Sequence, residues 1–487
     1  MTDPHPESAD LGFTSAQDLI QELRAQDISS HDLTASFIER ISNVDDSEGG
    51  LQSILAISVD VFDQAKIQQF SDESDSDTQS GRNVLAGLPV AIKDNIQAIG
   101  LPATAGSLAL AGRTVTQDAA LVSRLRAAGA VVMASTNLSE WANFRSSEST
   151  SGWSAVGGLT ANPWKYAHSA GGSSSGSGAA VAAGLVPFAV GSETDGSIVC
   201  PASLNGCVGI KPTVGVVSTS GVIPISASQD APGPLARSVA DAALLLDVLG
   251  GLDTQSWLDD DSTLRIGVVG QWLTSDDATN TLFHDTVSLL ARHGITLTDV
   301  RVADATDAEG MDETTVLVHE QMEDLSAYLA NRPGHGVKSV ADVVAFNKEH
   351  SDVELAHFGQ EFFEQSAASG GRNEVYRAAR ARNLEWALTK VLGPGLHDVD
   401  VLIGATYAPA WLSTLGHGED HSSSSWITAP SAIAGWPIGC LPMGIVSGLP
   451  VGLGVVARAH DENGLVRAMS RIEKILDLGV LRPTFIR

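Results

Sequence analysis

Residues 171–190 read GGSSSGSGAAVAAGLVPFAV. A glycine- and serine-rich segment usually behaves as a flexible linker. This one runs without a break into small apolar residues at 179–183 and then into 186–190, whose content suits a buried strand. A Gly/Ser turn that feeds a buried helix is also a place where backbone N–H groups converge. Outward from it, residues 88–92 (LPVAI) and 131–135 (VVMAS) read as strands. Between them a helix is expected from an Asp118 cap through Ala128, ended by Gly129. The pattern restarts at 264–269 (LRIGVV), returns at 399–403 and 451–456, and closes with a helix over 462–476. Upstream, Thr14 with Gln17 and Ser29 with Asp32 have capping-box spacing, and Leu33, Phe37 and Ile41 follow on one helical face. Residues 312–392 read as mainly helical, and 71–77 (SDESDSD) as a solvated acidic loop. Such alternation predicts an α/β sandwich with a largely parallel or mixed sheet.

Composition narrows the function. The 487 residues carry 29 Lys+Arg against 58 Asp+Glu, a net charge of −29. A surface of that sign repels phosphate backbones and anionic lipid, so neither nucleic acid nor membrane is expected as a partner. Residues 1–7 (MTDPHPE) lack the basic and apolar regions of a secretory signal, and no apolar run reaches membrane-spanning length. A soluble, cytoplasmic location is expected. Cys200, Cys207 and Cys440 show no metal-type spacing, and none of the 13 histidines sits in a metal motif.

Three segments carry chemistry. The Gly/Ser turn lacks the Lys-Ser/Thr pair of a phosphate loop, which disfavours phosphate. Residues 191–198 (GSETDGSI) place Ser197 in a glycine-containing turn beyond a strand, where a hydroxyl can be exposed beside backbone N–H groups. Lys93 ends the strand at 88–92. Solvated, it would be an ordinary partner of Asp94; desolvated, its lowered pKa would let it act as a base.

Together these segments resemble the amidase signature family: a strand-ending lysine, a Gly-Gly-Ser-Ser turn, and a serine in a G-S-I segment. Pro102 to Ser107, Lys211-Pro212-Thr213, Pro232-Gly233-Pro234 and Ala434-Gly435-Trp436-Pro437 also read as family segments. No internal repeat or linker divides the chain, so one domain over 1–487 is expected, with the 312–392 helical elaboration shaping a substrate pocket. The resemblance runs from the N-terminal helices to about Ala459 and implies a signature core at 84–245 and an α/β/α sandwich around a large mixed sheet. It implies Ser197 as nucleophile, Ser173 as a bridging serine preceded by a cis peptide bond, and Lys93 as base. Backbone N–H groups of Thr194, Asp195, Gly196 and Ser197 would hold the oxyanion, with no metal or cofactor required. Glu193 is read as a brace of that turn or as a surface residue. Tyr407, Trp426 and Trp436 are candidates for the acyl pocket, with plain packing the alternative.

The chain departs from the commoner Gly-Gly-Ser-Ile-Arg segment, since Asp195 replaces a glycine and Val199 the arginine. That variant, with Cys200-Pro201-Ala202, residues 225–230 (ISASQD) and residues 324–329, is most similar to the peptide amidase branch, which removes C-terminal amides and releases ammonia. Aryl amides, carbamates and ω-amino-acid oligomers are alternative substrates on the same chemistry. A further alternative is the A subunit of a tRNA-dependent amidotransferase. The expected partner is a small-molecule or peptide amide, and the expected state a monomer or homodimer.

Overall fold

The computed structural model describes residues 11–67, 83–112, 115–333 and 336–484; the acidic stretch 71–77 lies outside them. Thirteen strands are assigned among these residues: β1 (Ile54–Ile57), β2 (Pro89–Lys93), β3 (Val131–Thr136), β4 (Trp153–Ser154), β5 (Gly158–Leu159), β6 (Phe188–Glu193), β7 (Val208–Lys211), β8 (Ala231–Ala236), β9 (Arg265–Val269), β10 (Thr296–Val300), β11 (Val401–Ala405), β12 (Ile438–Val446) and β13 (Leu449–Val456). Eleven form one mixed sheet in the order β1-β3-β2-β6-β8-β7-β12-β13-β11-β9-β10, and β4 and β5 make a small hairpin. The expected α/β class is present, and of the parallel and mixed arrangements the sheet is the large mixed one. Parallel pairing joins β3, β2 and β6 near one edge and β11, β9 and β10 at the other. Every residue of β2, β3 and β6 is buried, which is why these strands read as continuous apolar runs.

The Gly/Ser segment is not a linker. Helix Ser175–Ala182 begins inside it, earlier than the expected 179, and all eight of its residues are buried. Small residues let the helix lie almost against β2, β3 and β6. A Cβ on Gly176 would come within 2.6 Å of the Asn137 backbone N and O. Other ends move by a residue or two. The first helix, Ala16–Arg24, is capped by Ser15 rather than Thr14, because the Ser15 hydroxyl is the one that accepts from the Asp18 N–H. Ser29 caps Ser30–Val44 as expected. Asp118 does not cap Ala120–Ala127; its carboxylate instead binds the Ile99 N–H and Arg126. The closing helix is Glu462–Leu476. No helix among the described residues is long and apolar enough to cross a membrane.

The helical region consists of Asp307–Asn331, Val340–Glu349, Glu361–Ser369 and Glu374–Leu384, continued by a π-helix over Glu385–Leu392. Leu325, Leu329, Val343 and Phe363 build its own apolar cluster around Trp141 and Ile223 of the sheet side. A buried ion triad adds to that seam. Arg145, fully buried, lies 2.9 Å from a Glu140 oxygen and 3.6 Å from a Glu354 oxygen, with the Phe358 ring 4.2 Å from its guanidinium carbon. Burial pushes the Glu140 carboxyl well above its usual range, against the pull of Arg145. Among the described residues Arg145 is the cation between these two buried carboxyls, and removing it leaves them uncompensated. Arg145→Met should therefore lower the unfolding free energy by about 3–5 kcal/mol. Urea denaturation at neutral pH measures this, and a loss below about 1 kcal/mol would show that the triad does not anchor the seam.

Candidate active site

Lys93 ends β2 and Glu193 ends β6, and these two strands are parallel neighbours, so both side chains arrive at the same edge of the sheet. Helix Ser175–Ala182 starts at that edge. Loops beyond the carboxyl ends of parallel strands are where an open α/β sheet forms a crevice. The peptide bond between Gly172 and Ser173 is cis. Ser173 Oγ sits 2.7 Å from Lys93 Nζ, which also donates to Ser192 Oγ at 3.0 Å and Ser192 O at 3.1 Å. Asn95 Nδ2 donates to the same Ser192 hydroxyl at 2.9 Å. Lys93 is wholly buried. Burial pushes its pKa down to about 7, although Asp230 and Glu193 both oppose the shift. No carboxylate among the described residues contacts the ammonium directly, so desolvation wins.

The turn after β6 is held from three sides. Glu193 Oε2 accepts from the N–H groups of Ile198 (2.7 Å) and Val199 (2.9 Å). The Thr194 hydroxyl donates to Asp230 Oδ1 at 2.6 Å, while Asp230 Oδ2 accepts from Ile225 and Ser226 N–H. Gly196 takes φ +75°, and a Cβ there would meet the Tyr407 hydroxyl at 2.7 Å. Ser197 is only 8% exposed, and its hydroxyl makes no hydrogen bond among the described residues. It faces a cavity of about 500 Å³ shared with Gly172, Thr194, Asp195, Gly196 and Tyr407. The far wall is Glu313, Thr314 and Leu317 of helix Asp307–Asn331, with Phe362 and residues 142–144, 146–149 and 417–419 at the sides.

This geometry has relatives. The amidase family profile matches residues 32–466. The chain belongs to the amidase family.

Two structures of similar proteins are the peptide amidase PAM with the competitive inhibitor chymostatin and the native peptide amidase of Stenotrophomonas maltophilia. The first is 38% identical with TM-score 0.89, covering 96% of this chain and 99% of that one. The second is 37% identical with TM-score 0.88, covering 97% and 99%. Among sequence relatives, a probable amidase of Arabidopsis thaliana is 33% identical over 95% of this chain and 90% of its own length. The A subunit of the glutamyl-tRNA(Gln) amidotransferase of Methanosarcina acetivorans is 32% identical over 90% and 96%. This amidase is thus an amide hydrolase by family.

Within the amidase, Lys93, Ser173 and the turn 194–197 come together at one end of the cavity. Tyr407 lines it as well, but Trp426 and Trp436 do not. Trp426 packs against Trp272 and Trp386, with ring centroids 6.1 and 6.0 Å away. Trp436 lies against the main core, and its carbonyl accepts from Lys211 at 2.6 Å. An aromatic residue in a sequence carries no direction, and here two of the three pack against the main core instead of lining the cavity. Glu193 is buried and braces the turn, not the surface. Val199 is fully buried at the start of helix Val199–Asn205.

Two charged residues beside the turn carry no signal of their role in the sequence. Asp230 is raised to about 7 by burial, despite its hydrogen bonds from Thr194, Ser226 and Ile225. Lys211 is lowered by burial to about 8, with Glu193, Asp195 and Glu462 opposing. Each stands inside a family-like segment, yet nothing in spacing alone says that a given Asp or Lys is buried. The close approach at residue 196 gives a direct check. Gly196→Ala should cost about 1–3 kcal/mol through the strained φ and the Tyr407 clash. Adding Tyr407→Phe should return part of that loss in thermal unfolding, and strictly additive losses would show that the hydroxyl is not the obstacle.

Proposed function

We propose that this amidase removes the C-terminal carboxamide of peptides, releasing ammonia through an acyl-enzyme on Ser197. The observation that carries the reading is the likeness to two peptide amidase structures at 37–38% identity over nearly the whole chain. The local chemistry supports it. A neutral lysine has two N–H bonds and one lone pair. With the N–H bonds directed at Ser192 O and Oγ, the lone pair is left for the Ser173 hydroxyl. Lys93 then takes the Ser173 proton as Ser173 takes that of Ser197, and Ser197 Oγ attacks the amide carbon. The Ser197 hydroxyl, which has no hydrogen-bond partner among the described residues, has to turn toward Ser173 for this step. The oxyanion is held by the N–H groups of the turn 194–197. Proton flow reverses to the leaving nitrogen, the C–N bond breaks, and water cleaves the ester by the same route.

A second reading, the A subunit of a tRNA-dependent amidotransferase, draws on relatives such as that of Methanosarcina acetivorans. A net charge of −29 opposes it, because an RNA complex would need a cationic surface from another chain.

Ammonia release from C-terminally amidated peptides tests the proposal, and Ser197→Ala should lower it by at least about 10³-fold. No release from any such peptide would overturn it. The lysine fixes the pH dependence. Lys93 is competent only when unprotonated, so kcat/KM should fall about tenfold per unit below pH about 7 and level off above it. A profile flat from pH about 5 to 8 would remove Lys93 from the relay.

A further inference from the structure

We propose that the Asp195–Glu313 face of the cavity is a subsite for an organic cation, ammonium or guanidinium, carried on the acyl side of the scissile carboxamide. The inference rests on the amide-hydrolysis reading above and names the substrate class of that site.

Among the described residues the cavity lining contains four carboxyl side chains, Glu148, Asp195, Glu313 and Glu419, one histidine, His417, and no lysine or arginine. Its other acidic groups do not change that sign. Burial pushes both Tyr407 and Cys200 well above their usual range, which keeps phenol and thiol neutral. A net charge of −29 scatters carboxylates over any surface, so number alone decides nothing. Placement decides. Asp195 stands in the turn itself, between Thr194 and Gly196, two residues from the nine-tenths-buried Ser197 hydroxyl, which has no partner among the described residues. Glu313 reaches the cavity from helix Asp307–Asn331, and its Oε1 is fixed by Gln229 Nε2 at 2.8 Å. The same Gln229 nitrogen lies 3.5 Å from Thr194 O, so one amide ties both walls together.

The two carboxyls feel each other. Burial and then Asp195 push Glu313 up to about 8, against the hydrogen bond from Gln229 and the charge of Arg380. Near neutral pH Glu313 therefore relieves the repulsion by keeping a proton. A substrate cation seated there replaces that proton and meets two carboxylates in a partly desolvated pocket, where charge interactions exceed those in bulk water. The same face acts on the product. Hydrolysis turns a neutral carboxamide into a carboxylate beside Asp195, and like charges favour its departure.

The test compares ammonia release, at pH about 8, from N-acetyl-lysine amide, N-acetyl-norleucine amide and N-acetyl-glutamate amide. A second pair, leucine amide and N-acetyl-leucine amide, separates an α-ammonium from a side-chain cation. We expect at least one cationic member to exceed its neutral counterpart in kcat/KM by about tenfold, with glutamate lowest. In Glu313→Gln that ratio should fall below about threefold, and added salt should lower it in the native enzyme. Because the readout is a ratio within one protein, reduced total activity does not confuse it. If Glu313→Gln does not fold, Asp195→Asn is read the same way. Equal rates for all members would overturn the cation subsite and leave amide hydrolysis standing. A preference unchanged in both variants would also overturn it, by seating the cation elsewhere. No release from any amide would overturn the hydrolysis reading and this inference with it.

Discussion

An ammonium group held away from water at the end of β2 sets the terms for the rest of the site. Lys93 reaches its position only because β2 is buried on both faces and because Ser192, at the end of the neighbouring parallel strand, offers both a hydroxyl and a carbonyl. Those acceptors are neutral. A carboxylate in direct contact would have raised the pKa and fixed the charge, whereas hydroxyl and carbonyl oxygens leave burial as the dominant influence. The carboxylates that do act on Lys93, Asp230 and Glu193, are each occupied with holding the turn at Thr194 and Ile198. The residues that shape the turn thus also limit how far the lysine is depressed.

Extended contact between the sheet and the helical region follows a similar logic, with acids as acceptors. Glu320, almost fully buried, takes hydrogen bonds from the Ser226 hydroxyl, the Ser228 N–H and the Tyr376 hydroxyl. Burial would raise its pKa, but those donors hold it below the usual carboxylate range. Arg372 clamps Glu323 and Asp324 at 2.6 and 2.7 Å, and Asp324 also accepts from the Ala227 N–H. Helix Asp307–Asn331 is therefore docked on residues 225–230, the segment whose Asp230 grips Thr194. The cavity wall and the turn beside Ser197 form one hydrogen-bonded unit rather than two surfaces that merely meet.

Much of this is legible in the sequence. Strands buried on both faces announce themselves as apolar runs, so β2, β3, β6, β11 and β13 are readable to within a few residues. Strands such as β10, whose residues are exposed or half-buried, carry no such run and give no signal. β8 (APGPLA) contains two prolines, which argue against a strand until the register with β6 and β7 supplies the pairing. The start of helix Ser175–Ala182 is hidden because glycine and serine mark loops by propensity. Only the close approach at Gly176 shows why small residues are required there.

At the site, legibility follows chain order. Lys93, Ser173 and Ser197 lie in dense local segments, and the likeness of those segments to family motifs singles them out as candidates. Asp230, Gln229 and Glu313 act through partners tens of residues away or more, as in the contact of Gln229 with Glu313. No local pattern encodes such a contact. The same difference separates Tyr407 from Trp426 and Trp436: whether an aromatic ring faces a cavity or a core depends on what the opposing strand and helix bring to it. Chemistry that depends on one turn can be read from one turn, while the selectivity of the pocket is distributed over helices and loops and exists only once they are packed together.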